Sequence, residues 1–241
     1  MPDAKPISSE TLEVLRTIPT QTLIDGLWVM GWPMSFIHGA KPLQAGQHMA
    51  GRAVTLRFVP HRPDLMADKP KGDQSAEYVA IELCGPEEIL VIDALGWEYS
   101  SVGGDIKFLR MMQLKAGGLV TDGAARDSNT LKGYGFPVYA ANTTAKQGPA
   151  EFWPWQVNDA IQCGRVLVRP GDVLVGDDDG VAVVPQGIVD EVIRIAHERE
   201  EGEAVIKAQL EIEQCSPGKY YPFNDLTWRL FEEKTGKKRT G

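Results

Sequence analysis

Cysteine is nearly missing from this 241-residue chain: Cys84, Cys163 and Cys215 are odd in number, widely separated and never arranged as Cys-x-x-Cys. That excludes a disulfide framework and a thiolate zinc site, so all three are read as reduced thiols. Histidine is as scarce, and His38, His48, His61 and His197 have no companions at the spacing of a metal pair or a catalytic triad. No apolar run approaches the roughly 18 to 20 residues that span a bilayer, and Met1 to Ser9 lacks the apolar centre of a signal peptide. The expectation is a soluble, cytoplasmic protein with no membrane partner. Positive charge is also short: 25 Lys and Arg stand against 33 Asp and Glu, and the single basic cluster is the tail Lys234, Lys237, Lys238, Arg239. Without a basic stripe to neutralise phosphates, nucleic acid is not an expected partner. A Gly-x-Ser-x-Gly elbow, a Walker lysine and a Gly-x-Gly-x-x-Gly turn after a strand are all missing, which removes the common serine-nucleophile and nucleotide-binding readings.

What is present is a core of ordinary size, with 43% hydrophobic residues and an alternation of strand-like and helix-like segments. Helices are expected over Ser9–Arg16 and Thr20–Met30, with Ser9 and Thr20 as N-caps, then a strand over Gly51–Val59 and an exposed loop over Pro60–Gly72. A helix near Ser75–Leu83, a strand over Glu88–Asp93, a helix over Asp105–Lys115 and a strand through Leu119 and Val120 follow, which predicts an α/β core with parallel pairing. From Pro137 onward short strands with Gly and Asp turns predict a mostly antiparallel half, with Glu151–Gln156 as an aromatic loop. Gly187 to about Glu213 reads as a long amphipathic helix, with Glu198 to Glu201 and Glu203 exposed. The division expected is one domain over 1–215 and an extension over 216–241 carrying a small helix near Leu226–Glu233.

The segment Gly118-Leu119-Val120-Thr121-Asp122-Gly123-Ala124-Ala125-Arg126-Asp127 sets a buried strand against a glycine turn that ends on adjacent opposite charges. Asp127 is placed to cap a helix beginning at Ser128. A carboxylate there can ligate a hard cation, and the neighbouring guanidinium can grip a substrate carboxylate through two parallel hydrogen bonds. The alternative is an N-cap with a surface ion pair. Gly103-Gly104-Asp105-Ile106 precedes another helix, where free backbone N–H groups favour an anionic oxygen, or where the residues serve only as cap and turn. If both loops lie at one end of neighbouring parallel strands, Asp105 and Asp127 converge in the usual α/β ligand crevice. Asp177-Asp178-Asp179-Gly180 lacks the ligand spacing of a calcium loop and predicts a tight hairpin. Lys107 and Lys115 fall on a helix with a solvated face, which favours metal over imine chemistry.

Taken in order, Thr20-Gln21-Thr22-Leu23-Ile24-Asp25-Gly26-Leu27, Gly51-Arg52-Ala53-Val54-Thr55, Gly103-Gly104-Asp105, Asp122-Gly123-Ala124-Ala125-Arg126-Asp127, Gly135-Phe136-Pro137-Val138, Pro170-Gly171-Asp172 and Asp177 to Gly180 resemble the RraA-like family, which includes class II pyruvate aldolases acting on 4-hydroxy-4-methyl-2-oxoglutarate and 4-carboxy-4-hydroxy-2-oxoadipate. The resemblance implies an α/β fold of swivelling β/β/α type with a C-terminal helical extension. It also implies homotrimers or homohexamers with sites between subunits, and Mg2+ or Mn2+ as cofactor. By the same resemblance Arg126 binds the pyruvyl carboxylate, Asp127 holds the metal, and Asp105 positions metal-bound water. Backbone amides near Gly104, Ile106 and Lys107 hold substrate oxygens, and Glu200, Glu201 or Glu203 enters from the adjacent subunit. One departure is Thr130, where aldolase members commonly carry an acidic residue.

The chemistry expected is cleavage of a 4-hydroxy-2-oxo acid to pyruvate. The metal acts as Lewis acid on the 2-oxo acid and stabilises the enolate, Arg126 fixes the carboxylate, and Asp105 orients the base. Oxaloacetate decarboxylation is the expected side activity because it passes through the same enolate. Two alternatives stand beside it: a protein-binding regulator of a ribonuclease, which needs no catalytic metal, and a metal-dependent hydrolase, hydratase or isomerase of a 2-oxo sugar acid.

Overall fold

The computed structural model describes residues 7–33 and 35–239, and these form two compact units that part between Val189 and Asp190. The helices are α1 (Ser9–Thr17), α2 (Thr20–Val29), α3 (Pro63–Met66), α4 (Ala76–Glu82), α5 (Asp105–Leu114), α6 (Ser128–Lys132), α7 (Val189–Glu213) and α8 (Asp225–Thr235). The strands are β1 (Lys41–Pro42), β2 (Met49–Pro60), β3 (Glu88–Asp93), β4 (Ser101–Gly103), β5 (Gly118–Ala125), β6 (Val138–Thr143), β7 (Phe152–Val157), β8 (Ile161–Cys163), β9 (Val166–Val168), β10 (Val173–Asp177) and β11 (Gly180–Val184).

The first unit is built on a mixed sheet in the order β1-β6-β5-β3-β2-β10-β11, with β4 added to β5 and β7 added to β2. Four pairings are parallel: β2 with β3, β3 with β5, β4 with β5 and β5 with β6. Both faces of this centre are covered, so β3 alternates its side chains between two cores. Leu90 and Ile92 join Leu56, Phe108 and Leu119, while Ile89 and Val91 join Met49, Val120, Tyr139 and Val183. That is why its sequence is an unbroken apolar run and carries no polar face. The ends of the sheet curl toward each other: the Lys41 ammonium donates to the Asp179 carbonyl, and the Gly46 N–H to the Asp178 carboxylate. The result is a nearly closed, barrel-like sheet, in line with the α/β fold expected.

Several local expectations change. Val138–Ala140 opens β6, which is parallel to β5, so the antiparallel half starts only at β7. The aromatic stretch expected as a loop is β7, an edge strand on β2 with Trp153 opposite Val59. Pro154 masked the strand signal, and it is tolerated because β7 is held along one side only. The exposed segment after Pro60 contains α3, which buries Met66, and its Lys69 ammonium lies 3.6 Å from the centre of the Trp155 ring. The cap of α1 is Ser8, one residue earlier than expected. Thr20 does not cap α2; its own N–H and hydroxyl both donate to Asp177, each at 2.8 Å. A cap supplied from 157 residues away leaves no local signature.

The second unit comprises α7 from Asp190 and α8. Ile206, Tyr220 and Leu230 form its core with Val205, Leu210 and Phe223 around them. Gly202 lets Phe223 approach, since a Cβ there would lie 2.7 Å from the ring. Asn224 and Thr227 form a reciprocal capping box that starts α8. The structure divides at Val189, whereas the sequence reading set the boundary at 215. Among the described residues no helix is long and apolar enough to cross a membrane.

Candidate active site at the ends of the parallel strands

β5 is buried along its whole length and stays extended through Asp122 and Gly123, so the glycine turn expected at Gly123 is not there. Gly123 is needed for another reason: a Cβ on it would sit 2.6 Å from the Ala94 Cβ, where the loop after β3 crosses the strand. Asp122 fixes that loop. Its buried carboxylate accepts from Ala94 N–H at 2.7 Å, Gly96 N–H at 3.1 Å, Gly164 N–H at 3.1 Å and the Gln162 amide at 3.3 Å. Burial still outweighs these donors and holds the Asp122 carboxyl above its ordinary range. This anchoring role was missed in the sequence, since its four partners come from two distant loops.

Beyond Ala125 the chain turns sharply. Arg126 N–H donates to the Gly103 carbonyl at 2.9 Å, tying the end of β5 to the loop before α5. Asp127 then adopts a left-handed backbone at φ 54°, a conformation that Asp tolerates better than most side chains. It occupies the N-cap position of α6, and its carbonyl accepts from Thr130 and Leu131 N–H at 2.9 and 3.0 Å. Its carboxylate does not cap that helix. It reaches across to α5, where Oδ2 accepts from Asp105 N–H at 3.2 Å.

Gly104 makes this approach possible. A Cβ on Gly104 would fall 2.1 Å from Asp127 Oδ2 and 3.2 Å from the Arg126 Cβ. Asp105, half-buried, accepts from Ile106 N–H at 2.7 Å through Oδ1, and its carbonyl accepts from the Tyr134 hydroxyl at 3.0 Å. The loops carrying Gly104, Asp105, Arg126 and Asp127 are thus brought together at the carboxyl ends of β4 and β5, where an α/β sheet forms its crevice. An open cavity of about 460 Å³ there is lined by Ala125 to Thr130 and Thr143 to Ala145.

The other sequence candidates divide. Ile106 is 81% exposed at the first turn of α5, outside the residues that line the cavity, and its N–H is taken by Asp105. Lys107 is not on a solvated face: its half-buried ammonium pairs with Glu77 and donates to the Val102 carbonyl at 3.1 Å. A lysine whose nitrogen is occupied by an ion pair and a carbonyl in this way is a poor imine former. Asp177 to Gly180 is the tight β10–β11 turn. Glu200, Glu201 and Glu203 belong to the second unit; Glu201 is exposed and bound by Lys237 at 2.6 and 2.7 Å, while Glu198, Arg199, Glu200 and Glu203 are half-buried where exposure was expected. The thiols are free, and burial pushes Cys84 up to about 12 and Cys163 well above its ordinary value, which makes both inert.

The donor set suits a hard divalent cation. The Asp127 carboxylate lies in a cradle that a single Cβ would fill, the Asp105 carboxylate stands on the neighbouring loop, and Mg2+ commonly uses one or two carboxylates and keeps several waters. Among the described residues no three His, Cys, Asp or Glu side chains gather to form a closed cage. Any binding by one chain alone is therefore open and water-rich.

Comparison with known proteins agrees with this architecture. The family model described as RraA-like, Aldolase/RraA, matches residues 20–183. A Halalkalibacterium halodurans protein, named provisionally as a 4-hydroxy-4-methyl-2-oxoglutarate aldolase, is 32% identical over 185 residues, which is 77% of this chain and 81% of that protein. The crystal structure of Streptomyces coelicolor RraAS2, described as an unusual member of the RNase ES inhibitor RraA protein family, superposes with a TM-score of 0.75 at 28% identity. That match covers 83% of this chain and 96% of the other. The RNA-processing inhibitor RraA from Thermus thermophilis shares the fold at 21% identity and a TM-score of 0.51, over 69% of this chain and 92% of its own.

Proposed function

The chain belongs to the RraA-like family, and from that premise we propose that it is a divalent-metal-dependent lyase that cleaves a 4-hydroxy-2-oxo acid to release pyruvate. The observation that carries the reading is the Asp127 carboxylate seated in the Gly104 cradle, with Arg126 beside it and the first amide of α5 as its donor. That contact caps α5 from outside the helix, as Asp177 caps α2; what supports a further role is the second carboxylate oxygen of Asp127, which has no partner among the described residues.

Asp127, with one oxygen on the Asp105 amide and the other without a partner among the described residues, would hold Mg2+ or Mn2+ directly; Asp105 would hold it through water. Bound there, the cation supplies Lewis-acid polarisation of the 2-oxo group. Arg126 binds the substrate carboxylate through its two parallel N–H groups and adds positive potential where negative charge grows on the 2-oxo oxygen during C3–C4 cleavage. The backbone at Gly104, Ile106 and Lys107, at the positive end of α5, orients the remaining substrate oxygens. Asp105 takes the proton of the 4-hydroxyl through water and returns one to C3 of the departing pyruvate. The aldehyde or ketone fragment leaves with the former C4. Oxaloacetate is decarboxylated at the same residues, because loss of its C4 carboxylate leaves the same charge to be held. The assembly we propose is a homotrimer or homohexamer, with Glu200, Glu201 or Glu203 of an adjacent copy completing the site.

The test is pyruvate release from oxaloacetate by chelated protein, before and after Mg2+ or Mn2+ is restored, with Asp127→Ala and the metal alone as controls. Restored release that requires Asp127 supports the lyase. Full release by Asp127→Ala, or none above the metal background, would overturn it. The likeness to RraAS2 supplies a second reading, a protein-binding regulator of a ribonuclease. It predicts binding that is indifferent to metal and to Asp127→Ala.

A further inference from the structure

We infer that Tyr134 is a positioning residue that sets where the Asp105 carboxylate stands relative to Asp127, an inference that rests on the lyase reading above. α6 is short, and the segment that enters and leaves it closes on the first residue of α5 from both sides. At its entry the Asp127 carboxylate accepts from the Asp105 N–H at 3.2 Å; just past its exit the Tyr134 hydroxyl donates to the Asp105 carbonyl at 3.0 Å. The Tyr134 ring is half-buried, packs on the core that holds Phe108 and Leu131, and lies 6.5 Å from the Phe136 ring, so packing aims the hydroxyl. Tyr134 N–H also donates to the Leu131 carbonyl at 3.0 Å, which ties the residue to the end of α6.

Asp105 thus has its N–H and its carbonyl held by two residues from one segment distant in sequence. Its side chain is held through one oxygen: Oδ1 accepts from Ile106 N–H at 2.7 Å, and Oδ2 has no partner among the described residues. A fixed backbone beneath a carboxylate with one free oxygen is what a base working through water needs. A tyrosine whose hydroxyl is merely satisfied would make the same contact. The two roles separate by reaction. To exchange a C3 proton of pyruvate in D2O, the C–H bond breaks, its electron pair moves into C2–C3, charge gathers on the 2-oxo oxygen, and the proton passes through water to Asp105 and is replaced by a deuteron. Oxaloacetate reaches the same charge by losing CO2, with no proton to remove first, so that step does not wait on Asp105.

The experiment takes the natural protein and Tyr134→Phe, each with Mg2+ added, and measures deuterium incorporation at C3 of pyruvate and decarboxylation of oxaloacetate on the same sample. Tyr134→Phe keeps the packed ring and deletes only the hydroxyl. Exchange should fall by about tenfold or more and decarboxylation by less than about threefold. Without substrate, deuterium uptake by the backbone over 105–108 should quicken by about fivefold or more. Mn2+ affinity, read by titration, should stay within about threefold, because Asp127 keeps its Gly104 cradle. A ratio of exchange to decarboxylation that is unmoved or raised, or unchanged backbone uptake, overturns the inference and leaves the lyase standing. A larger loss of Mn2+ affinity would put the effect on Asp127 and overturn the route through Asp105. Natural protein that decarboxylates oxaloacetate but exchanges no C3 proton removes Asp105 as the base and this inference with it. Neither reaction in the natural protein overturns the lyase and the inference together.

Discussion

At the scale of the residue, the site depends on an atom that is missing. Gly104 has an extended backbone that any residue can adopt, so its requirement is purely steric: the space of its Cβ is filled by the Asp127 carboxylate. Gly104→Ala should displace that carboxylate by the better part of an ångström and lower metal-dependent pyruvate release by about 100-fold, with the thermal midpoint little changed. Isothermal titration with Mn2+ should show the same variant losing affinity, which separates a lost ligand from a lost base. Arg126→Lys keeps the charge but gives up the planar pair of donors. We expect kcat/KM to fall by about 10- to 100-fold while Mn2+ affinity holds, because the ammonium cannot grip a carboxylate through two parallel bonds. The adjacency of Arg126 and Asp127 was legible in the sequence. That the Asp turns away from its own helix was not, because the left-handed backbone at 127 is set by the crossing of two loops.

At the scale of the element, the end of β5 is held in place from both sides. Arg126 N–H is tied to Gly103, Thr144 N–H donates to the Ala125 carbonyl at 3.1 Å, and Asp122 anchors the loop after β3. Asp122→Asn keeps the size but offers one acceptor oxygen where four donors converge, and points an amide at backbone N–H groups. Stability should drop by about 2 to 3 kcal/mol, read as a fall in the thermal midpoint. Activity in the surviving fold should fall too, since that loop borders β4. Elements whose pattern was written locally were found in the sequence: β3 by its apolar run, α5 by its Gly-Gly-Asp start, and the β10–β11 turn by its aspartates and glycine. β7 was lost to its proline and aromatics, and the cap of α2 to the distance of Asp177.

At the scale of the whole molecule, the second unit carries its own acid sensitivity. The Lys219 ammonium at 2.5 Å, the Gln209 amide and the Tyr220 hydroxyl converge on Glu213 and pull its carboxyl down to about 2 from an ordinary 4.5. A carboxylate lowered on folding contributes stability that is fully present above about 4.5 and is lost as pH falls toward 2. Thermal midpoints measured across that window should decline more steeply for the natural protein than for Glu213→Gln, and parallel curves would remove Glu213 as the cause. Sedimentation should give three or six copies. A monomer fully active on oxaloacetate would remove the shared site we propose.

The sequence by itself determined the class of fold, the family and the candidates for the site. Apolar periodicity, glycine placement and adjacent charges are properties of short stretches, and physical chemistry reads them without knowing their neighbours. Only the tertiary structure decided which oxygen faces which amide, that Lys107 is spent on Glu77 and that Asp177 caps a helix 157 residues away. Those relations are contacts between segments distant in sequence, and they come into being only when the sheet closes and brings its loops to one end.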